Sequence, residues 1–461
     1  MLRMLSPGRT LWDSLLPTVA LVMPSDLEFV DRVLDDPGLL EPFRSFFSPL
    51  WGRPSTPMET FVRLMFLKSW LKVGYEELFE RVSRSVTFLV FCRIGLGADT
   101  PAPLTMAKLV RRFGPDTVAE LNRLVLLRAH DAGLVDVSQV RVDSTVVPAD
   151  IEYPTDSGLL AKGIRQVLGP VERIRRVGIA GDVMVDDCRG EVRRLTKALQ
   201  RAARGRTDEA RDDVLVVVDE LADLAEQALE QARQVAEAGE AAVSLGFRAQ
   251  RLAANVGRLA KRIPALEAVV VQSRQVARHR PPAPADRRVS LHDGDARPIR
   301  KSTSTRNRCF GYTGQVMDNR DGLILDYDLA VNNPPDGPRA VAALGRVQNL
   351  FGRLPGIVTA DRGYGDKASV ETVSDLGVGC VAILRKGNPG AERRAFEQSD
   401  RVQSLVKWRS GSEGRISAVK REWGWNRARL AGIDGAATWC GWGIYAHNCD
   451  KIGQLIAKIE T

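Results

Sequence analysis

The sequence has few of the residues that build zinc sites, disulfide frameworks or membrane spans. Its 461 residues include only four histidines and six cysteines, and no two cysteines form a Cys-x-x-Cys pair. A zinc site or a disulfide framework is therefore not expected, and a reducing compartment is favoured. No apolar run approaches the ~18 residues of a membrane span, and no signal-peptide cleavage pattern follows the N-terminus. These absences predict a cytoplasmic protein with no membrane partner.

Basic residues outnumber acidic ones. The chain has 66 Lys and Arg against 57 Asp and Glu, a formal net charge of +9 and an isoelectric point near 9.4. A basic protein that neutralises phosphates releases counterions, so this excess favours a polyanionic partner such as DNA. The alternative is a basic protein with no such partner, and the charge alone does not separate the two.

Three short motifs each carry one candidate metal-binding carboxylate. Asp143 follows the alternating run 139–142, Asp361 follows the apolar run 357–360, and Glu413 lies in a helical segment. An isolated charge in a buried strand is costly unless it is paired or liganded. Mg²⁺ takes one or two carboxylates from a protein and its other ligands from water and phosphate, and two such ions bracket an in-line displacement at phosphorus. The motifs therefore predict cutting and joining of a nucleic-acid backbone.

The third acid has cationic neighbours at helical spacing. Arg409, Glu413 and Lys420 are spaced i, i+4 and i+11, which places all three on one face of a continuous helix. Gly411 and Gly414 flank the acid, and each costs a helix roughly 1 kcal/mol relative to alanine. We expect another chain segment or DNA to approach the backbone closely at these glycines.

Periodicity divides the chain into four parts. We predict a helical N-terminal domain (1–136, a candidate for DNA binding), a catalytic core in two pieces (137–157 and 300–435), a coiled-coil-like helical insertion (158–299) and a C-terminal helix (436–461). Two heptad-like series, separated at Gly239, predict an antiparallel hairpin inside the insertion. Its acidic and basic limbs either pair with each other, or the basic limb lies along DNA.

Without the insertion, the predicted elements follow the order of an RNase H-like domain. That order is three strands, then helix, strand, helix, strand and helix. The predicted fold is therefore an α/β RNase H-like core with a mixed five-stranded sheet, a helical N-terminal domain and a large helical insertion between the first and second core strands.

Three motifs together resemble a known family. Asp143-Ser144-Thr145, Asp361-Arg362-Gly363-Tyr364 and Arg409-x₃-Glu413-x₆-Lys420 are similar to the signature of bacterial insertion-sequence transposases with a DDE catalytic core. The resemblance implies that Asp143, Asp361 and Glu413 are catalytic and hold two Mg²⁺ ions, for which Mn²⁺ can substitute. The candidate DNA contacts are Arg362, Tyr364, Arg409, Arg415, Lys420, Trp423 and Trp425.

The resemblance also implies a reaction and its partners. A transposase of this kind cuts the ends of an insertion sequence and joins the 3′-hydroxyl ends to target DNA. Its expected partners are the terminal inverted repeats, the target DNA, and further copies of the chain in a homodimer or higher oligomer. It is expected in the bacterial cytoplasm, associated with the nucleoid when bound to DNA.

The chain departs from the family pattern in two places. Many relatives have a tyrosine three residues before the arginine, where this chain has Val406. The long interval lies between Asp143 and Asp361, whereas the interval from Asp361 to Glu413 is short. A hairpin-forming step that depends on an insert after the second acid is therefore not carried over.

Two other interpretations stay open. One is an RNase H-like nuclease or resolvase without strand transfer, and the other is a non-catalytic DNA-binding scaffold. The enzyme interpretation expects the three carboxylates to lie within a few ångströms of one another. Trp423 and Trp425 lie among cations, where indole rings either stack on an unpaired base or pack the last helices against the sheet.

Overall fold

The computed structural model describes residues 1–5, 17, 22–205, 207–246, 250–300 and 308–460. Helices predominate, and the strands form a single mixed sheet. Two compact units divide the chain: Met1–Asp150 with Tyr312–Thr461, and Ile151–Gly311. In the described part of the chain, no helix combines the length and the apolar character that crossing a membrane requires.

Helices fill the first unit before its first strand. They are α1 (Ser25–Leu34), a 3₁₀ helix (Pro37–Phe46), α2 (Met58–Trp70), α3 (Tyr75–Ser83), α4 (Val86–Phe91) and α5 (Pro103–Asp131). α2 begins directly after Pro57. α5 bends at Gly114, whose φ of 68° is left-handed.

The sheet contains β1 (Gln139–Pro148), β2 (Arg297–Arg300), β3 (Arg308–Asn319), β4 (Ile324–Ala330), β5 (Ile357–Ala360) and β6 (Cys380–Ala382). The strand order is β2-β3-β1-β5-β6, and β4 also pairs with β3. β5 is parallel to β1 and β6, whereas β3 is antiparallel to β2 and β4. Five of these strands, β1 and β3 to β6, correspond to the predicted mixed five-stranded sheet, and the four-residue strand β2 of the second unit adds a sixth that was not predicted.

Helices separate and follow the later strands. They are α10 (Asp336–Phe351), a 3₁₀ turn (Arg362–Tyr364), α11 (Lys367–Asp375), α12 (Ala391–Gln398), α13 (Asp400–Arg409), α14 (Ser412–Glu422) and α15 (Ile433–Glu460). The order of three strands, then helix, strand, helix, strand and helix matches the prediction once the second unit is set aside. α15 packs on α1, α2 and α5. Edge-on ring contacts among Phe43, Phe61, Phe113 and Trp442 fill this part of the core.

The second unit is a bundle of α6 (Asp156–Arg175), α7 (Arg189–Ala202), α8 (Asp208–Ser244) and α9 (Gln250–Ala277). The ion pairs Arg274–Asp219 and Arg233–Glu267 show that α8 and α9 run antiparallel, as the heptads predict. Gly239 does not break the helix, contrary to the prediction, because α8 continues to Ser244. A Cβ at Gly239 would lie 2.7 Å from Val256, so this glycine permits close helix packing.

Candidate active site

Asp143 and Asp361 lie at equivalent positions on neighbouring parallel strands. The β1–β5 pairing ends with Val142 opposite Ala360, and each aspartate is the next residue in its strand direction. We had expected Asp143 to end its strand, but β1 continues past it to Pro148. β5 does end directly before Asp361. The two carboxylates therefore lie at the edge where β5, the shorter strand, stops beside β1. Their proximity is electrostatically significant, since Asp361 helps to raise the pKa of Asp143.

The Asp143 carboxylate is held mainly by neutral donors. One oxygen accepts a hydrogen bond from the backbone N–H of Ser144 at 2.8 Å, and the other accepts from the Ser412 hydroxyl at 2.7 Å. The guanidinium of Arg409 is more distant, 3.7 Å from the second oxygen. Burial raises the pKa of the Asp143 carboxyl, and the hydrogen bonds from Ser412 and Ser144 only partly oppose this. The ionised carboxylate is therefore incompletely compensated by the protein.

Asp361 caps the 3₁₀ turn that follows β5. Its carboxylate accepts a hydrogen bond from the backbone N–H of Gly363 at 2.6 Å. A Cβ at Gly363 would lie only 2.7 Å from that same oxygen, so the glycine leaves room for the cap. Lys386 donates to the Gly363 carbonyl, and Arg362 donates to the carbonyls of Arg385 and Gly387. The turn that carries Asp361 is thus fixed against the loop after β6.

A third acid beside these two was not predicted from the sequence. Asp336 is the first residue of α10, and both Asp361 and Ser144 contribute to the electrostatic environment of its carboxyl. Burial is the main cause that raises the pKa of Asp336. One of its carboxylate oxygens is buried, with no hydrogen-bond partner among the described residues. The available signal was an acid directly after Pro334-Pro335, at the start of a predicted helix.

Glu413 lies at a joint between two helices, not within the single helix that was predicted. α13 ends at Arg409 and α14 begins at Ser412. A Cβ at Gly411 would lie 2.7 Å from the Arg141 guanidinium, which agrees with the expected close approach, whereas Gly414 has open space around its Cα. Glu413 itself is exposed in the first turn of α14. Its neighbour Ser412 makes the hydrogen bond to Asp143.

A buried ion network fixes this joint against the sheet. Arg141 makes a bidentate pair with Asp318, with both N···O distances 2.9 Å, and donates to the Trp408 carbonyl at 3.0 Å. Arg415 reaches the same Asp318 carboxylate at 3.2 Å. β1, β3 and the two helices therefore meet around one buried aspartate. Asp318 was not among the residues singled out from the sequence.

The donor chemistry at Asp143 and Asp361 fits a hard divalent cation. Mg²⁺ commonly uses one or two protein carboxylates and completes its shell with water and phosphate. No group of three His, Cys, Asp or Glu side chains close enough to hold one metal ion occurs within the described ranges. The expectation that the three carboxylates lie within a few ångströms of one another is therefore not met there. The catalytic and metal-binding roles of Asp143, Asp361 and Glu413 stay predictions.

Several predicted DNA contacts need correction. Trp425 is fully buried and its indole N–H donates to the Cys440 carbonyl, so it has no face for a base. Tyr364 is 1% exposed and lies beside Asp336 and Ser144 under the strand edge. Arg415 is held by Asp318. Burial leaves Trp425 and Tyr364 no surface for DNA, which single-sequence patterns do not reveal, whereas the assignment of Arg415 stays a prediction.

The remaining predicted contacts keep their place as predictions. Arg362 is exposed, and Arg409 is half-buried beside Asp143. Lys420 lies half-buried in the last turn of α14. Trp423 follows that helix and stays partly exposed, with its ring 5.8 Å from that of His447.

Two segments of the chain match known protein families. Residues 20–112 match a family described as a transposase domain (DUF772), and residues 284–449 match the transposase DDE domain. Asp143 lies between the two matched segments. A stretch of 134 residues is 31% identical to a Rhizobium meliloti protein described as uncharacterized protein ORF8 in the nfe locus. That stretch covers 28% of this chain and 64% of the relative.

No solved structure matches the chain. The two family matches cover different parts of the chain, one in the N-terminal helices and the other from the end of the second unit into α15. Together they support an insertion-sequence transposase with a DDE core.

Proposed function

We propose that this transposase cuts the ends of its insertion sequence and joins their 3′-hydroxyl groups to target DNA, with Asp143, Asp361 and Glu413 as the catalytic acids. The observation that carries the proposal is the register of β1 and β5. It brings the first two acids of the motif to one strand edge from positions far apart in sequence. The transposase and DDE matches support the reaction class.

We also propose that the core is RNase H-like and interrupted by the second unit. The strand order of β4-β3-β1-β5-β6, with β3 antiparallel to β4 and the last three strands parallel, is consistent with that fold. The proposed parts are the helical region 1–136, the core 137–157 with 300–435, the insertion 158–299 and the final helix 436–461.

The protein's own groups prepare the carboxylates for a cation. Ser412 and the Ser144 N–H orient the Asp143 carboxylate without neutralising it. The Gly363 N–H does the same for Asp361. Two Mg²⁺ or Mn²⁺ ions bound by these acids and Glu413 would activate the attacking oxygen and stabilise the leaving 3′-oxygen. Arg409, Lys420 and Arg362 are proposed to hold the DNA phosphates around them.

The test uses strand cleavage and joining on DNA that carries the element's ends. Asp143→Asn and Glu413→Gln should each abolish Mg²⁺-dependent cleavage while end binding stays within about threefold. Arg353→Gln, at an exposed position after α10, serves as the control and should leave both unchanged. Full cleavage by both acid variants would refute the assignment. Cleavage without joined product from pre-cut ends would favour a nuclease or resolvase.

The second unit is proposed to contribute to dimerisation or end binding. Among its described cations on α9, Arg274 pairs with Asp219, Asp223 and Glu226 of α8, so the acidic and basic limbs partly neutralise each other. Arg262 has a lowered pKa, chiefly through burial and then through nearby Arg258 and Arg173, which marks a cluster of like charge. Such a cluster favours a phosphate partner. Sedimentation and end-binding measurements on Arg258→Gln with Arg173→Gln would separate the roles: loss of binding alone indicates DNA, and loss of assembly indicates the dimer.

A further inference from the structure

A cationic pocket lies in the first unit beyond the C-terminal end of α14. Its volume is about 520 Å³, within the range of pockets that hold small ligands, and residues of α2, α3, α5 and α15 form its walls together with the segment after α14. Five Lys or Arg side chains line it against two acids, Glu76 and Glu422. Glu422 is already paired with Lys72. The remaining charge is therefore clearly positive, and an anion is the expected occupant.

Lys68 is the central cation of this pocket. Its ammonium lies 4.5 Å from the centre of the Trp439 ring and 5.2 Å from that of Tyr75. No carboxylate pairs with it in the described part of the chain. Burial, together with the charge of Arg429, lowers the pKa of Lys68 to about 8. Contacts with ring faces only partly replace the lost hydration of a cation. An anion bound here would therefore offset the remaining free-energy cost of burying the Lys68 charge.

Two further cations, Arg111 and Arg429, lie near Tyr75 and Lys68. Arg111 is close enough to Tyr75 to influence its pKa, which burial raises to about 12. Arg429 acts in the same way on Lys68. Both arginines are exposed, and Trp423 and Trp439 are partly exposed beside them. Cations next to half-exposed indoles are the combination that binds the phosphate and the base of an unpaired nucleotide.

The position of the pocket relates it to the catalytic acids. α14 begins next to Glu413 and ends at Glu422, which lines the pocket. Its eleven residues span about 16 Å, a distance that a few nucleotides can cover. A strand that ran along α14 from the acids would therefore present another phosphate at the pocket.

We infer that this pocket binds one nucleotide phosphate of a DNA strand, with Lys68, Arg111 and Arg429 as its ligands and Trp423 beside the base. The inference rests on the proposed function only in taking DNA as the source of the phosphate. A free nucleotide or inorganic phosphate offers the same chemistry and is distinguished in the test. No cleavage step is required for binding.

The test measures the anisotropy of a fluorescein-labelled 20-nucleotide single strand and of its duplex, with the full chain in EDTA. Arg429→Gln and Arg111→Gln should each weaken single-strand binding about five- to tenfold near 0.1 M salt. Each should also reduce the slope of log affinity against log salt by about 0.7. Arg353→Gln is the matched control and should change affinity less than twofold. Trp423→Leu should weaken the single strand more than the duplex, because only an unpaired base can stack.

Lys68→Met keeps the apolar stem of the side chain and removes its charge. Circular dichroism tests whether this variant is folded. If it is not, the variants of the exposed residues Arg111 and Arg429 still test the inference. Thermal melts with inorganic phosphate or dAMP identify the source: stabilisation of wild type but not of Lys68→Met by either one indicates a free ligand. Binding only by the oligonucleotide indicates DNA. Unchanged affinity and salt slope in Arg429→Gln and Arg111→Gln would overturn the inference, and cleavage assays of Asp143→Asn would still decide the catalytic proposal independently.

Discussion

Asp318 offers the sharpest test of how the candidate site is held together. Its side chain is 3% exposed, and it carries the bidentate pair with Arg141 and the further contact to Arg415. Asp318→Asn keeps the size of the side chain but removes its charge. Two guanidinium groups would then remain without their counter-ion, one of them only 8% exposed.

The expected cost follows from burial. Removing one partner of a buried ion pair costs about 3–5 kcal/mol, because the other charge is left without compensation. Arg415 is 19% exposed and can recover some hydration, so we expect a loss of unfolding free energy of about 3 kcal/mol. The matched control is Glu120→Gln. The Arg123–Glu120 pair is 45% and 42% exposed, and such pairs contribute about 1 kcal/mol or less.

The chain supplies its own probe for this measurement. All eight tryptophans lie in the sequence ranges of the first unit, and the second unit has none. Urea unfolding followed by tryptophan fluorescence therefore reports on the unit that contains Asp318, even if the helical bundle unfolds separately. If Asp318→Asn shifts the free energy no more than Glu120→Gln does, the ion network does not hold the joint. A normal stability with lost cleavage would refute the energetic argument as well.

Three further predictions follow from individual residues. Burial raises the pKa of Asp143 above 3.8, so ionisation of its carboxyl destabilises the folded state as the pH rises above that value. Asp143→Asn should therefore melt at a higher temperature than wild type near pH 8 in EDTA, and the difference in melting temperature should vanish in acid. Burial lowers the pKa of His447 from 6.5 to about 3, so stability present above pH 6.5 is lost as the pH falls towards 3. In urea titrations, the unfolding free energy of His447→Gln should therefore fall by about 2–3 kcal/mol less than that of wild type between neutral pH and pH 4.5. Gly239→Ala forces a Cβ against Val256 and should destabilise the second unit by about 1–3 kcal/mol by circular dichroism, whereas an unchanged transition would show that the bundle can relax.

Long periodic elements could be predicted from the sequence because burial repeats along them. The heptad positions Leu221, Ala225, Ala228, Ala232 and Val235 are all buried in α8, and the order of the core strands and helices is the predicted one. Periodicity did not indicate where α8 stops. Glycine often ends a helix, but Gly239 instead leaves room for the side chain of Val256, a residue on another helix.

The site was predictable only where a motif is local. Asp143 and Asp361 could be chosen because each follows a buried run, yet the edge they share depends on how much shorter β5 is than β1. The helix joint at Ser410–Gly411 follows from the Arg141 guanidinium, which lies far away in sequence. Asp336 was missed because its neighbours Ser144 and Asp361 come from two other elements. Side-chain spacing alone contains none of these tertiary contacts.

The two buried aspartates on β1 and β3 show why the strand edge suits a cation. Asp318 is neutralised by Arg141 at 2.9 Å and Arg415 at 3.2 Å, so this chain does supply guanidinium groups where a buried carboxylate has a structural role. Asp143 lies on the adjacent strand and receives neutral donors instead, with the nearest guanidinium 3.7 Å away and a second carboxylate beside it. The Asp143 carboxylate is therefore less fully paired than that of Asp318. An incompletely paired carboxylate with a second carboxylate beside it suits the binding of a divalent cation, because the cation supplies the missing charge.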